Sequence, residues 1–276
     1  MNLGFERFVA WRYLRGAEGR AEGRGFLRFV TYVAVGGVAV GVAALLLSLS
    51  IVRGFSQEIE SKIIGFGSHI HVQSYVEDDL LESASLKRER ILEHEQVVRA
   101  TPVVEDVVLL RRSAEAIDGV ALIGTSEPPS FLAGRIVAGA FRFEPDAARR
   151  PGLVLGQQLA RRLGIEVGDV VTAFSLQQGE GAAAVQPRLK QFHVAGIYET
   201  SLANVDDLYA FTALDPARDL LDVPPDVVTR FDLTVRDVAQ IDSTAARIER
   251  AMGFPSNART LYQQYRGLFA WVNLQQ

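Results

Sequence analysis

The chain has 276 residues, with 29 Lys+Arg against 33 Asp+Glu and no cysteine. The formal net charge of −4 argues against a general nucleic-acid-binding protein, which would need a dense basic face. A hydrophobic fraction of 48% excludes wholesale disorder. The lack of cysteine excludes disulfides, thiolate metal sites, iron–sulfur clusters and cysteine nucleophiles.

Residues 29–52, FVTYVAVGGVAVGVAALLLSLSIV, form a run of 24 residues without a charged side chain. A helix of that length rises about 36 Å, enough to cross a hydrocarbon core of about 30 Å. A buried core helix rarely lacks a polar face over such a length. The apolar stretch of a cleaved signal sequence is shorter and ends in a small-residue cleavage site, whereas this run continues into residues 53–58 (RGFSQE) without such a site. We therefore predict a retained transmembrane helix.

The charges that flank this helix predict its orientation. Residues 1–28 carry a net charge of +3, whereas the rest of the chain carries −7. Because positive charge stays cytoplasmic, we place the N-terminus inside the cell and the bulk of the chain in the periplasm. Aromatic residues alternate with arginine in this arm, which fits either an interfacial amphipathic helix, with Trp11 and Tyr13 at headgroup depth, or a plain juxtamembrane arm.

Two glycines within the apolar run have the spacing of a helix-packing motif. Gly37 and Gly41 are four residues apart and therefore lie on one face of a helix. Small residues at this spacing let a second membrane helix approach closely. Glycine is common in membrane helices, so the alternative is that both glycines simply face lipid.

Beyond the apolar run, the period of Phe55, Ile59 and Ile63 predicts that the helix continues as a stalk until Gly65 ends it. Strands are predicted at 69–74, 97–111, 117–123, 152–155, from 167 onward, and at 190–198, 208–211 and 231–235. Helices are predicted at 86–95, 156–163, 214–221 and 241–252, and a hairpin-tip loop at 177–187.

This mixture of short strands and helices predicts an α+β outer domain over residues 53–260. Residues 261–276 read as a helical, aromatic-rich segment, which we expect to lead into a further membrane helix beyond this sequence.

Motifs of catalysis are missing from the sequence. There is no P-loop, no G-x-S-x-G and no H-E-x-x-H. His69 and His71, with Asp78 and Asp79, could form a metal site, but an H-x-H in a strand is more often a half-exposed polar face. Six aspartates at predicted turns or strand ends are expected to accept local backbone hydrogen bonds: Asp106, Asp118, Asp169, Asp206, Asp207 and Asp232. We predict a non-catalytic protein without cofactor or metal.

Several segments, in their order along the chain, resemble one family of membrane proteins. They are residues 8–14 (FVAWRYL), 53–59 (RGFSQEI), 153–172 (LVLGQQLARRLGIEVGDVVT) and 192–201 (FHVAGIYETS). The chain resembles permease subunits of the MacB/FtsX/Lol class of ABC transporters, and within it the Lol permeases that release lipoproteins. Arg53 departs from the asparagine usual in the family.

The resemblance implies a MacB-like periplasmic core domain between the first and second of four membrane helices. It also implies a cytoplasmic ABC ATPase, a second permease subunit, lipoprotein cargo and a periplasmic chaperone as partners, in the cell inner membrane. ATP-driven motion would pass through the stalk to the outer domain. A MacB-like efflux permease, an FtsX-like regulatory permease and a single-span adhesive or sensory protein remain as alternatives.

Overall fold

The structure is a computed structural model that describes residues 5–9, 12, 24–65, 68–76, 80–175, 187–200 and 203–264. The chain divides into two compact units, Met1–Ser61 and Lys62–Gln276. In the first unit, residues 5–9 are helical and helix α1 begins at Arg24. Helix α1 ends at Gly65, as the sequence predicted. Trp11 and Tyr13 lie outside the described residues.

The second unit contains the strands and the remaining helices, and its mixed content confirms the predicted α+β fold. The strands are β1 Ile70–Ser74, β2 Val97–Arg111, β3 Ile117–Thr125, β4 Ile136–Gly139, β5 Gly152–Gly156, β6 Val170–Ser175, β7 Arg188–Tyr198, β8 Tyr209–Ala213, β9 Arg230–Val235 and β10 Ser256–Thr260. The helices are α2 Ala84–Leu92, α3 Gln157–Leu163, α4 Ala203–Leu208, α5 Leu214–Leu221, α6 Ile241–Met252 and α7 Leu261–Gln264.

Strands β10, β1, β9 and β2 form an antiparallel half-sheet in that order. Helix α2 connects β1 to β2 and helix α6 connects β9 to β10, so the half-sheet has the split βαβ arrangement. Alternate residues Ile70, Val72 and Ser74 of β1 are buried, while His71 and Gln73 point to the opposite, open face. This alternation of buried and open positions arises because successive side chains of a strand point to opposite faces of the sheet.

Within the described residues, six strands close into a ring in the order β2-β3-β8-β5-β7-β6 and back to β2. The long strand β2 allows this closure, because its first half pairs with β9 and its second half with β6. Side chains that point inward join the main hydrophobic core, among them Leu110, Leu122 and Phe192. Helix α5 packs against this core through Ala217 and Leu220.

The segment between β3 and β5 crosses part of the outer surface of the ring. Its backbone comes so close to the strands that glycine is required beneath it. A Cβ on Gly196 would lie 2.5 Å from the Ala140 carbonyl oxygen, and one on Gly152 would lie 2.4 Å from that of Arg142. A second hydrophobic cluster, which includes Phe211, fills the space under this segment.

The predicted elements are observed with small differences at their ends. The strand expected from Val167 starts at Val170, because Glu166–Asp169 form a turn in which the Asp169 carboxylate accepts the Glu166 N–H at 3.0 Å. The structure also contains elements that were not predicted, namely β4, α4 and β10. Strand β10 has the polar sequence SNART and is held extended by its pairing with β1. Most of the predicted 177–187 loop lies outside the described residues.

Candidate functional site

The part of α1 from Phe29 to Gly54 is 26 residues long, and its most apolar stretch of 18 residues has a mean hydropathy of 2.4 and no buried residue. Its length and composition are sufficient for a membrane-spanning helix. Large side chains all around it are exposed, such as Val40 at 70% and Leu47 at 64%. Leaving so much apolar surface in water is unfavourable, so this helix needs lipid or other helices around it.

Gly37 and Gly41, the predicted packing residues, lie in the middle of this uncovered helix. An added Cβ at either position would meet no atom within 4 Å among the described residues. The groove that the two glycines leave is therefore sterically open. Their role in helix packing stays a prediction.

His69 and His71 do not act together in the described structure. His69 Nδ1 accepts a hydrogen bond from the Val235 N–H at 3.0 Å, and His71 Nε2 lies 3.4 Å from Asp232 Oδ1. The residues that the structure describes contain no group of three or more His, Cys, Asp and Glu side chains suited to a metal ion. Asp78 and Asp79 lie outside them.

Instead, His71 belongs to an ion network on the open face of the half-sheet. Arg230 Nε donates to Asp232 Oδ1 at 2.7 Å, and Arg230 Nη1 pairs with Glu105. The four side chains retain only 17–25% of their exposure. Burial lowers the pKa of the His71 imidazole, an effect that Asp232 opposes and Arg230 reinforces. Despite its burial, Asp232 has a lowered pKa because Arg230 and His71 lie beside it.

A second surface lies on the outer face of the ring. Leu109 is directly opposite Phe174, and Phe174 is directly opposite Leu189, so the three side chains share a face. We call them the open row. Leu189 is 64% exposed, as is Val107, two residues before Leu109. The guanidinium of Arg111 lies 4.7 Å from the centre of the Phe174 ring. Leu109 and Phe174 are half-buried. An outward-facing apolar row with exposed ends is a candidate protein-interaction surface.

Comparison with known families identifies the domain. Residues 31–251, more than half of the chain, match the family model described as MacB-like periplasmic core domain. The chain belongs to this family. The resemblance deduced from the sequence motifs is thus confirmed. The structure is also similar in fold to the periplasmic region of MacB from Actinobacillus actinomycetemcomitans, with a TM-score of 0.50, 11% identity and coverage of 76% of this chain and 97% of that one.

Two of the curated relatives of this MacB-like domain protein are Lol proteins. The chain is 32% identical to the lipoprotein-releasing system transmembrane protein LolC of Neisseria meningitidis, over 77% of this chain and 50% of the relative. It is 27% identical to LolE of Haemophilus influenzae, over 86% of this chain and 56% of the relative. The chain therefore spans about half the length of these relatives.

Sequence reasoning missed the role of Asp232. Asp106, Asp118 and Asp169 accept backbone N–H groups as predicted. Asp232 lies inside β9 rather than at a turn, and its carboxylate is held by Arg230 of the same strand, with His71 of the neighbouring strand β1 beside it. The alternation of Arg230 and Asp232 with buried Phe231 and Leu233 was a signal that both charges point to one face.

Proposed function

We propose that the chain acts as a permease subunit of an ABC transporter that releases lipoproteins from the inner membrane for delivery to the outer membrane. The observation that carries this proposal is the 32% identity to a lipoprotein-releasing LolC over 77% of the chain. An uncovered apolar helix joined to a MacB-like periplasmic core domain supports it.

In this proposal a separate cytoplasmic ATPase subunit hydrolyses ATP, since the 276 residues contain no P-loop. Helix α1 spans the inner membrane and passes motion to the outer domain. The direct test is depletion of the protein in its host. We expect lipoproteins destined for the outer membrane to accumulate in the inner membrane, as measured by membrane fractionation. Normal sorting after depletion would contradict the proposal.

The orientation we propose places residues 1–28 in the cytoplasm and the MacB-like domain in the periplasm, because the arm carries +3. The absence of cysteine allows a clean test with single-cysteine variants. Ala114→Cys lies in an exposed turn and Phe5→Cys in the arm. In intact cells with a permeable outer membrane, a maleimide that cannot cross the inner membrane should label only the Ala114→Cys variant. The Phe5→Cys variant should react only after lysis. The reverse pattern would contradict this orientation.

We further propose that the Gly37/Gly41 face packs against a membrane helix of the assembled permease, from the same or a second subunit. Leucine at both positions would fill the open groove and keep helices apart. In the full-length protein we expect less partner copurification and impaired lipoprotein release, with membrane insertion unchanged. The matched control is Ala39→Leu with Ala43→Leu, which adds bulk at the same spacing on the opposite helix face. Equal behaviour of the two double variants would show that Gly37 and Gly41 face lipid.

We assign the open row to the contact with a soluble periplasmic lipoprotein chaperone. The support is physical: Leu189 at one end of the open row and Val107 beside its other end are each 64% exposed. An apolar contact, edged by Arg111, suits a transient handover between two soluble surfaces.

A further inference from the structure

The open row continues onto a fourth strand, where its position is occupied by glycine. Leu109 on β2 lies directly opposite Phe174 on β6 and, on its other side, directly opposite Gly119 on β3. Gly119 therefore belongs to the same outward face as the open row. An added Cβ at Gly119 would meet no atom within 4 Å among the residues that the structure describes. The row thus ends in an open notch, which is the space above Gly119 and beside Leu109.

Within the described residues, the fold itself does not require glycine at position 119. The φ angle of Gly119 is not positive, and β2 and β3 pair through Leu109 and Gly119 without a register shift. No backbone packs against Gly119, in contrast to Gly152 and Gly196. Glycine inside a strand lowers stability, because it loses more conformational entropy on folding and has no side chain to pack. A strand glycine without an internal reason is typical of a place that another molecule approaches closely.

The surroundings of the notch are apolar. Ile117 lies two residues before Gly119 on the same face of β3 and is 48% exposed, and buried Ala121 lies two residues after it. Val107, opposite Ala121 on β2, is 64% exposed. These positions lie close enough for their side chains to contact a group that enters the notch. Because burial of a charge beside apolar side chains is unfavourable, the notch favours an apolar occupant.

The floor of the notch is held in place by hydrogen bonds. Asp118 Oδ1 accepts the Gly119 N–H at 2.8 Å, and the same carboxylate pairs with Arg162 on α3. A backbone that is already fixed loses little conformational entropy when a partner binds. The notch is therefore suited to select a partner side chain by its shape.

We propose that Gly119 determines which partner the open row accepts, because the notch receives a large apolar side chain of that partner. This inference rests on the chaperone contact proposed above and specifies its chemistry. The chaperone would present an apolar surface from which one leucine, methionine or aromatic side chain projects into the notch. Apolar anchors that fill a pocket contribute much of the binding energy of protein interfaces.

Filling the notch in the full-length protein tests this proposal. Gly119→Val adds bulk where the partner side chain would lie, so chaperone binding should weaken at least about tenfold, as measured by surface plasmon resonance. Gly119→Ala adds less bulk and should weaken binding less. Neither variant should lower the urea midpoint of unfolding, since the added atoms have space and valine favours strands. The control Ala138→Val adds bulk at an exposed position of β4 and should bind normally.

Unchanged chaperone binding by a folded Gly119→Val variant overturns the notch, as does an equal loss of binding in Ala138→Val. If Gly119→Val does not fold, Gly119→Ala decides: weaker binding supports the notch and unchanged binding overturns it. Leu189→Ser separates the notch from the chaperone contact itself. Weak binding by Leu189→Ser with normal binding by Gly119→Val leaves the open row as the contact and removes only the notch. A wild-type protein that does not bind the chaperone contradicts both.

Discussion

Two rows of three apolar side chains lie on the outer face of the same six-stranded ring and have opposite surroundings. Ile123, Phe211 and Val154 are direct neighbours across β3, β8 and β5, and all are buried. The open row, Leu109, Phe174 and Leu189, is likewise a row of direct neighbours, across β2, β6 and β7. Leu189 is nevertheless 64% exposed, whereas Phe211 is 2% exposed.

The difference lies in the chain that crosses one row and not the other. The segment between β3 and β5 places Phe131 and Phe141 over Phe211, with ring centres 6.2 and 6.1 Å away. We call Ile123, Phe211 and Val154 the covered row. Similar rows of apolar side chains therefore have different surroundings: the covered row is part of the buried second cluster, and the open row is the one we propose as a partner contact. Three predictions test this division.

The largest loss of stability is expected from a substitution in the covered row. Phe211→Ala would remove a ring that contacts Phe131, Phe141 and Tyr198 and leave a cavity. We expect a loss of about 3–5 kcal/mol in the free energy of unfolding, measured by urea denaturation of the full chain in detergent. Phe174→Ala is the matched change in the open row and should cost clearly less. Equal losses would mean that the two rows are equally buried.

A smaller loss of stability is expected when Tyr198, a buried neighbour of the covered row, loses its hydroxyl group. Its hydroxyl lies 3.0 Å from the Val205 carbonyl oxygen and 2.9 Å from that of Tyr209, and donates to this pair. Tyr198→Phe keeps the ring but leaves the buried carbonyls without this donor, at a cost of about 1–2 kcal/mol. The same denaturation experiment measures it. No loss of stability would show that other groups satisfy these carbonyls.

The smallest effect on stability is expected at the end of the open row. Leu189→Ser replaces a largely exposed side chain, so unfolding should change by less than about 0.5 kcal/mol. Binding of the periplasmic chaperone to the full-length protein should weaken severalfold, as measured by pull-down or surface plasmon resonance. Gln191→Ser, an exposed polar position on the same strand face, is the control and should bind normally. Unchanged binding by Leu189→Ser would remove the open row from the interface.

Most of the individual elements could be predicted from the sequence, because they depend on local periodicity. Helices 214–221 and 241–252 agree with the structure at both ends. Strand β10 could not be predicted, because SNART has no strand pattern and is extended only by pairing with β1, far away in the chain. Of the candidate site residues, Gly37 and Gly41 follow from spacing alone, whereas the partners of His69 and His71 depend on strand register.

By itself the sequence determined the uncharged helix, the charge asymmetry around it, the α+β composition and the family motifs. These features depend on consecutive residues, so they can be predicted without knowing which segments lie close together in the folded protein. Only the tertiary structure decided which of two equivalent rows is covered and which oxygen His71 and Arg230 share. Both depend on contacts between distant segments, where burial and hydrogen-bond competition are set by packing.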